Sequence, residues 1–247
     1  MAASSIDWTK GHEGKRASDE YIYNVMDRPF KSVHEFRRNG LSLPGSACVM
    51  EERMANRWSH INWNWDLVEY VPDVLTKLRA KANRLEQLHG SRFKFHAYGP
   101  ETMREFLKSK APRSSSSAWR QYDVVNFDWQ GLHSEANMDC FRLLFEKNLL
   151  ARGGFIINTS GMGHAQLKSE AHQACESHVT SSRIHVEDVR VNKWPLPEGA
   201  RAKIHGFARL VEAISKSWKS PVKAVSATLY SSGKFNHTQI HHLFRRL

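Results

Sequence analysis

Cysteine is scarce in this 247-residue chain: Cys48, Cys140 and Cys175 lie far apart and form no CxxC pair. That argues against a cysteine-based zinc site and predicts free thiols, buried as small hydrophobes, in a reducing compartment. Long apolar runs are missing too, and nothing approaches the roughly 18 residues a membrane span needs. The opening MAASSIDWTKGHEGKRASDE has no apolar stretch of the kind a secretory signal carries, so an intracellular place, cytoplasm or nucleus, is expected. No GxxxxGK[ST], HExxH or GxSxG pattern occurs, which leaves no motif for a P-loop, a zinc protease or a hydrolase nucleophile. His237 and His241 stand four apart, a metal-ligand spacing only if the tail is helical; with no further ligand nearby, no metal is expected. Internal repeats are absent.

Aromatic residues, by contrast, are plentiful. Eight Trp and twelve Phe, with a hydrophobic fraction of 40%, suffice for a substantial core. The length suits one α/β domain with an appendage. Residues 1 to 39 read as a polar extension, poorly ordered to about residue 20. Two short helices then follow, meeting at Arg28-Pro29. Residues 40 to 247 read as the domain.

The chain is organised around Tyr122 to Gly131. Asp123 to Phe127 is a short apolar strand that ends on Asp128, Trp129, Gln130 and Gly131. A helical pattern follows through Phe141, Leu144, Phe145, Leu149 and Leu150, then Arg152-Gly153-Gly154 breaks it, and Phe155 to Asn158 starts another strand. This is a βαβ unit, and strands this apolar are expected to be covered on both faces. The same alternation precedes it. Strands are expected near Leu41–Leu43, Trp65–Val68 and Phe93–Tyr98, and helices over about Ala47–Trp58, Val71–Leu88 and Pro100–Leu107. Ala111 to Ser117 reads as a flexible loop and Thr159 to His164 as a glycine-rich turn. A helix follows to about His178, and then an extended piece at Val186–Val191. A helix with Ile204, Phe207, Ala208, Val211, Ile214 and Trp218 on one stripe comes next, then a strand over Val222–Tyr230. The tail is either a return strand or a short helix. The predicted fold is a doubly wound, mostly parallel Rossmann-like sheet with helices on both faces and a short helical N-terminal extension. Ligands bind such sheets past the C-terminal ends of the strands.

The turn after the first strand (Pro44, Gly45, Ser46), the acid closing the second (Glu69) and the Asp128 turn would meet at that edge. The arrangement, over about Leu41 to Tyr230, resembles the Rossmann-like (class I) S-adenosylmethionine-dependent methyltransferases. The resemblance implies S-adenosylmethionine as cofactor. Pro44, Gly45 and Ser46 would carry its amino-acid end, Glu69 the two ribose hydroxyls, Tyr98 and its neighbours the adenine, and Asp128 would face the reacting methyl. Asp128 and Gln130 would aim acceptors at an exocyclic amine, and Trp129 would stack on a flipped base. The family's first loop usually carries two or three glycines, whereas Gly45 stands alone here. Its amino-methylating members usually have a D/N-P-P-aromatic tetrad where this chain has Asp128-Trp129-Gln130-Gly131. A catalytically inactive relative is therefore the alternative.

Charge is the last feature. Of the net +11, +9 falls on Arg190 to Leu247, where eleven Lys and Arg face only Glu198 and Glu212. Such asymmetry points to a polyanion, nucleic acid first. The expected contacts include Arg201, Lys203, Lys216, Lys219, Lys223, Arg245 and Arg246. A protein assembly is the other partner this region would suit.

Overall fold

The computed structural model describes residues 13–31, 37–44, 48–110, 121–129, 134–162, 184–190, 196, 200–231 and 238–247, with backbone alone at 201 and 202. Six α-helices and eight strands occur among them: α1 Glu13–Lys31, β1 Arg37–Ser42, α2 Val49–Arg57, β2 Asn62–Val68, α3 Pro72–His89, β3 Phe93–Tyr98, α4 Met103–Ser109, β4 Tyr122–Asp128, α5 Glu135–Glu146, β5 Leu150–Met162, β6 His185–Asp188, α6 Ala200–Ser217, β7 Val222–Ser231 and β8 Thr238–Arg246. The strands form one sheet in the order β3-β2-β1-β4-β5-β8-β7-β6. All neighbours are parallel except β8, which is antiparallel to both β5 and β7.

Side-chain alternation along each strand divides the core in two. Val124, Phe155, Ile157 and Leu243 pack with Ile22, Tyr23, Met26 and Phe30 of α1, with α2, and with Leu75, Leu78, Ala82 and Leu85 of α3. Val125, Phe127, Ile156 and Phe244 point the other way, toward Phe106 of α4, Phe141 and Phe145 of α5, and Phe207 and Val211 of α6. Apolar residues thus leave both faces of the central strands, which is why those strands read as near-continuous apolar runs.

Local chemistry sets several element ends. Pro72 opens α3, where its missing N–H is no loss. Thr102 and Glu105 form a reciprocal capping box at α4, and Ser134 caps α5.

The structure corrects the sequence reading in several places. The N-terminal segment is one continuous helix, Glu13–Lys31, with Pro29 in its last turn rather than two helices meeting there. The boundary at residues 39/40 falls inside β1. Helix α5 ends at Glu146, and the chain reverses through Asn148 at φ 51, so Leu149 and Leu150 lead into β5 instead of extending the helix. Gly153 and Gly154 lie within β5, which pairs irregularly with β4 there. Thr159 to Met162 continue that strand and are not a turn, because Thr238 to His241 pair with them. The tail is the return strand β8, so His241 and His242 point to opposite faces. The loop expected at 111–117 and the helix expected at 165–178 lie outside the described residues.

Candidate functional site at the switch point

From β1 the chain proceeds outward to β2 and β3. It then returns to the other side of β1 to lay down β4 and β5. The reversal lies between β1 and β4, and loops leaving the C-terminal ends of these two strands part there, opening a crevice. Ser42, Leu43 and Pro44 leave β1, Glu69 leaves β2, Tyr98 and Gly99 leave β3, and Asp128 and Trp129 leave β4.

Glu69 is held by backbone. Its N–H donates to the Tyr98 carbonyl at 3.1 Å, and one carboxylate oxygen accepts the Val71 N–H at 2.9 Å. The other oxygen has no partner among the described residues, and the side chain is half-buried. Gly99 makes this close approach possible. At φ +136 it occupies a conformation that L side chains rarely adopt, and a Cβ there would fall 2.0 Å from the Glu69 carbonyl oxygen.

Asp128 and Trp129 diverge, as neighbours at a strand end do. Asp128 faces α1, where Lys15 Nζ lies 3.4 Å from its carboxylate. Trp129 turns to the opposite face and stacks on Phe127, with ring centroids 5.3 Å apart. Its backbone N–H donates to the Thr159 carbonyl at 3.1 Å. The acid and the aromatic platform expected together therefore lie on different sides of the sheet. Tyr98 packs its ring on Phe106 (4.9 Å) under the Lys110 ammonium (4.7 Å). Burial, then the nearby Asp66 charge and a hydrogen bond to it, push its hydroxyl pKa up. Pro44 is half-buried at the end of β1. Gly45, Ser46 and Gln130 lie outside the described residues.

Behind Asp128 the structure assembles polar groups that sequence reasoning missed. Asn126 Nδ2 donates to Ser42 Oγ (3.0 Å), and Ser42 Oγ donates to Glu51 Oε1 (2.5 Å). Glu51 is fully buried, which raises its pKa against the opposing Ser42 bond. Arg53 of α2 donates to Asp19 of α1 at 2.6 Å. Burial pushes the Asp19 carboxyl up to about 6 despite the Lys15 and Arg53 charges. Ser18 Oγ meets His241 Nδ1 at 2.8 Å, and the Tyr230 ring packs on His241 at 4.7 Å. Burial alone would lower the Lys15 pKa; the surrounding Asp128, Tyr230 and Asp19 reverse this and hold it above its ordinary value. Asp19 Oδ1, Glu51 Oε2, Asn126 Oδ1, Thr159 Oγ1 and His241 Nε2 are buried without a hydrogen-bond partner among the described residues. The i, i+4 spacing of Lys15 and Asp19 was visible in the sequence, but nothing local told that this helix would lie over β4 and β8.

The basic residues do not form one surface. Lys203 lies near the start of α6 and Lys216 near its end, about 20 Å apart at roughly 1.5 Å per residue. Lys216, Lys219, Lys223, Arg245 and Arg246 gather where β7 begins and β8 ends. That is the edge opposite the crevice. The Arg201 side chain lies outside the described residues.

The donor set at the crevice has chemistry suited to S-adenosylmethionine. An open carboxylate oxygen at Glu69 matches ribose hydroxyls, and Asp128 and Lys15 match the charged ends of an amino acid. No family model matches the sequence, and neither does any curated protein. Among solved structures, the chain is similar to a candidate methyltransferase from Escherichia coli, yhhF, at 13% identity and TM-score 0.50, over 96% of this chain and 89% of that one. Also similar are a candidate rRNA-methylase from Clostridium thermocellum (12% identity, TM-score 0.49, 92% and 95% covered) and a candidate methylase from Haemophilus influenzae (14%, 0.48, 93% and 98%). At such identity the likeness is one of fold, and the Escherichia coli comparison carries it together with the strand order: the chain has the Rossmann-like methyltransferase fold.

Proposed function

We propose that this protein is an S-adenosylmethionine-dependent methyltransferase acting on nucleic acid. The observation that carries the reading is Glu69, a strand-end carboxylate beside the switch point with one oxygen tied to the Val71 N–H and the other open. The cofactor, when bound, supplies a methyl group on a sulfonium, and catalysis then rests mainly on positioning. Glu69 would hold the ribose hydroxyls. Asp128, beside Lys15 at the end of β4, would accept hydrogen bonds from the incoming substrate. The net charge of +11 favours a polyanionic substrate.

Titration calorimetry with S-adenosylmethionine tests the cofactor site. Saturable binding is expected for the wild type. In a folded Glu69→Ala variant, loss of charge-assisted hydrogen bonds should weaken it by about 1.5–3 kcal/mol. Equal affinity of the two proteins would remove Glu69 from the site.

A second reading has its own support. Lys15 already lies on Asp128, so the first turn of α1 covers the acid that a substrate would need. A catalytically inactive protein of this fold, binding nucleic acid or a protein assembly through its basic residues, would need no access there. Nucleic-acid binding without any binding of S-adenosylmethionine would favour this second reading.

A further inference from the structure

Lys15 sits in the first turn of α1, where the helix dipole disfavours a cation. Its ammonium is half-buried and lies 3.4 Å from the Asp128 carboxylate, against about 2.7–2.9 Å for a closed charge-assisted bond. Two cations of the neighbouring helices are closed on acids. Arg53 of α2 donates to Asp19 at 2.6 Å, and Lys81 of α3 donates to Glu52 at 2.7 Å. Lys15 keeps donors to spare at the end of β4.

Pinning α1 to the sheet does not account for this lysine. Partly exposed ion pairs contribute little to stability. The helix is fixed without it: Ser18 Oγ meets His241 Nδ1 at 2.8 Å, and Ile22, Tyr23, Met26 and Phe30 are buried. Gly14 adds a close approach to β7, since a Cβ there would fall 2.9 Å from the Ser231 carbonyl oxygen. The missing side chain lets the first turn settle on the strand ends, and that settling places Lys15.

Two polar atoms beside the pair lack a hydrogen-bond partner among the described residues. They are Thr159 Oγ1, directly across the ladder from Asp128, and Asn126 Oδ1, two residues before Asp128 on the same face. Both side chains are buried, and buried polar groups are ordinarily bonded. Thr159 and Asn126 offer acceptors, and Lys15 offers donors and a positive charge. A molecule with a carboxylate and an amino group would answer both. The N-terminus of α2, where such sheets often hold an anion, is taken: Glu51 and Glu52 stand in its first turn and already answer its dipole. An incoming carboxylate finds its cation on α1 instead.

The spacing of the strands suits this. Only β1 lies between β2 and β4, so Glu69 and Asp128 leave strands about 10 Å apart, at roughly 4.8 Å per spacing. Leu67 of β2 packs in the core shared with α1, α2 and α3, and alternation puts Glu69 on that face, the one Asp128 and Lys15 share. An arm running from ribose hydroxyls at Glu69 across the crevice ends beside Lys15. We propose that Lys15 is a donor-binding residue whose ammonium holds the α-carboxylate of S-adenosylmethionine, a task the family resemblance gave to Pro44, Gly45 and Ser46. The inference rests on the cofactor part of the reading above and adds the residue that fixes the far end of that cofactor.

The test is titration calorimetry on the full chain with two thioether probes. S-adenosylhomocysteine keeps the amino-acid end, and methylthioadenosine lacks it. The wild type should bind the first more tightly. Lys15→Met should weaken S-adenosylhomocysteine binding roughly ten- to a hundredfold, the loss of a charge-assisted bond, and leave methylthioadenosine binding unchanged. Retained binding of the second probe shows that the variant is folded. Lys15→Gln, which keeps polarity but not charge, should behave as Lys15→Met does, and carries the test if the methionine variant does not fold. Arg16→Met removes the same charge from the exposed next position and should change neither affinity. Glu69→Ala should weaken both probes, because both carry the ribose. The proposal is overturned if the Lys15 variants bind S-adenosylhomocysteine as the wild type does, or if they weaken both probes alike. A wild type that binds neither probe removes the cofactor reading and the proposal together, whereas one that binds both with equal affinity removes the proposal alone.

Discussion

Gly40 shows how one missing side chain shapes the sheet. It sits in the middle of β1, between Trp65 of β2 and Val124 of β4. A Cβ there would come within 2.1 Å of the Trp65 ring, and that ring is fully buried. Trp65 in turn stacks on Trp63, two residues earlier on the same face, with centroids 5.3 Å apart. A glycine inside a strand marks such a close approach. Gly40→Ala should overpack the core and destabilise the protein by about 1–3 kcal/mol. Urea unfolding measures this, and a variant as stable as the wild type would mean that the indole has room to move.

Helix α1 illustrates what holds an element that carries site residues. Its middle buries Ile22, Tyr23, Met26 and Phe30 against the sheet. Near its end, Asp27 gathers Arg57 Nε (2.8 Å), Arg57 Nη2 (2.8 Å), Trp58 Nε1 (3.0 Å) and Lys31 Nζ (2.7 Å). The Arg57 hydrogen bonds, opposed by burial and helped by Lys31 and Trp58, hold the Asp27 carboxyl well below its ordinary value. A carboxyl with a depressed folded pKa stabilises the protein above its unfolded value and loses that contribution as pH falls toward its folded one. Asp27→Asn should therefore cost about 1.5–3 kcal/mol at neutral pH. The gap to wild type should narrow once pH drops below about 4. Urea midpoints of both proteins at neutral and acid pH check this. A gap that is the same at both would mean that the ionised form of Asp27 is not what matters. Through this clamp and its apolar face, α1 sets Lys15, Ser18 and Asp19 over β4 and β8.

The whole molecule should respond to acid mainly through two buried histidines. Burial, then the Lys15 and His242 charges, lower the His241 pKa well below its ordinary value. Burial lowers His242 to about 4, against its bond to the Ile204 carbonyl. In the unfolded chain both imidazoles take up protons as pH falls below about 6.5, while in the folded protein they resist. Stability should thus fall between about pH 6.5 and 4. Asp19 acts in the opposite sense. Its folded carboxyl binds a proton near 6, before the unfolded one does at 3.8, so acid adds stability there. Glu51, whose carboxyl pKa burial also raises, acts in the same sense as Asp19. The deficits of the two imidazoles span the whole interval, and a net loss is expected. Urea midpoints measured across this range test the sign. His242→Gln should flatten the curve, and an unchanged slope would mean that His242 takes up its proton in the folded protein.

The alternation of strands and helices was legible in the chain because periods of two and 3.6 are local properties. So was Glu69, since an acid closing an apolar strand before a helix is readable without knowing the neighbours. What local pattern could not settle was the identity of segments whose hydrogen-bond partners are remote. Thr159 to Met162 has the composition of a turn and becomes strand because Thr238 to His241 supply the other half of its ladder. The basic tail becomes β8 only because β5 and β7 lie on either side of it. Trp218 fits a helical stripe by spacing, but the helix stops one residue short of it and the chain turns away. Lys15 and Asp19 fall in the stretch expected to be poorly ordered, and Glu51 in an expected helix. Lys15 became the half-buried partner of Asp128, and Asp19 and Glu51 the buried partners of Arg53 and Ser42, when α1 and α2 packed on one face of the sheet. Hydrophobic period determined which segments would be buried; which charges were carried inside with them was decided by the packing of helices far apart in sequence.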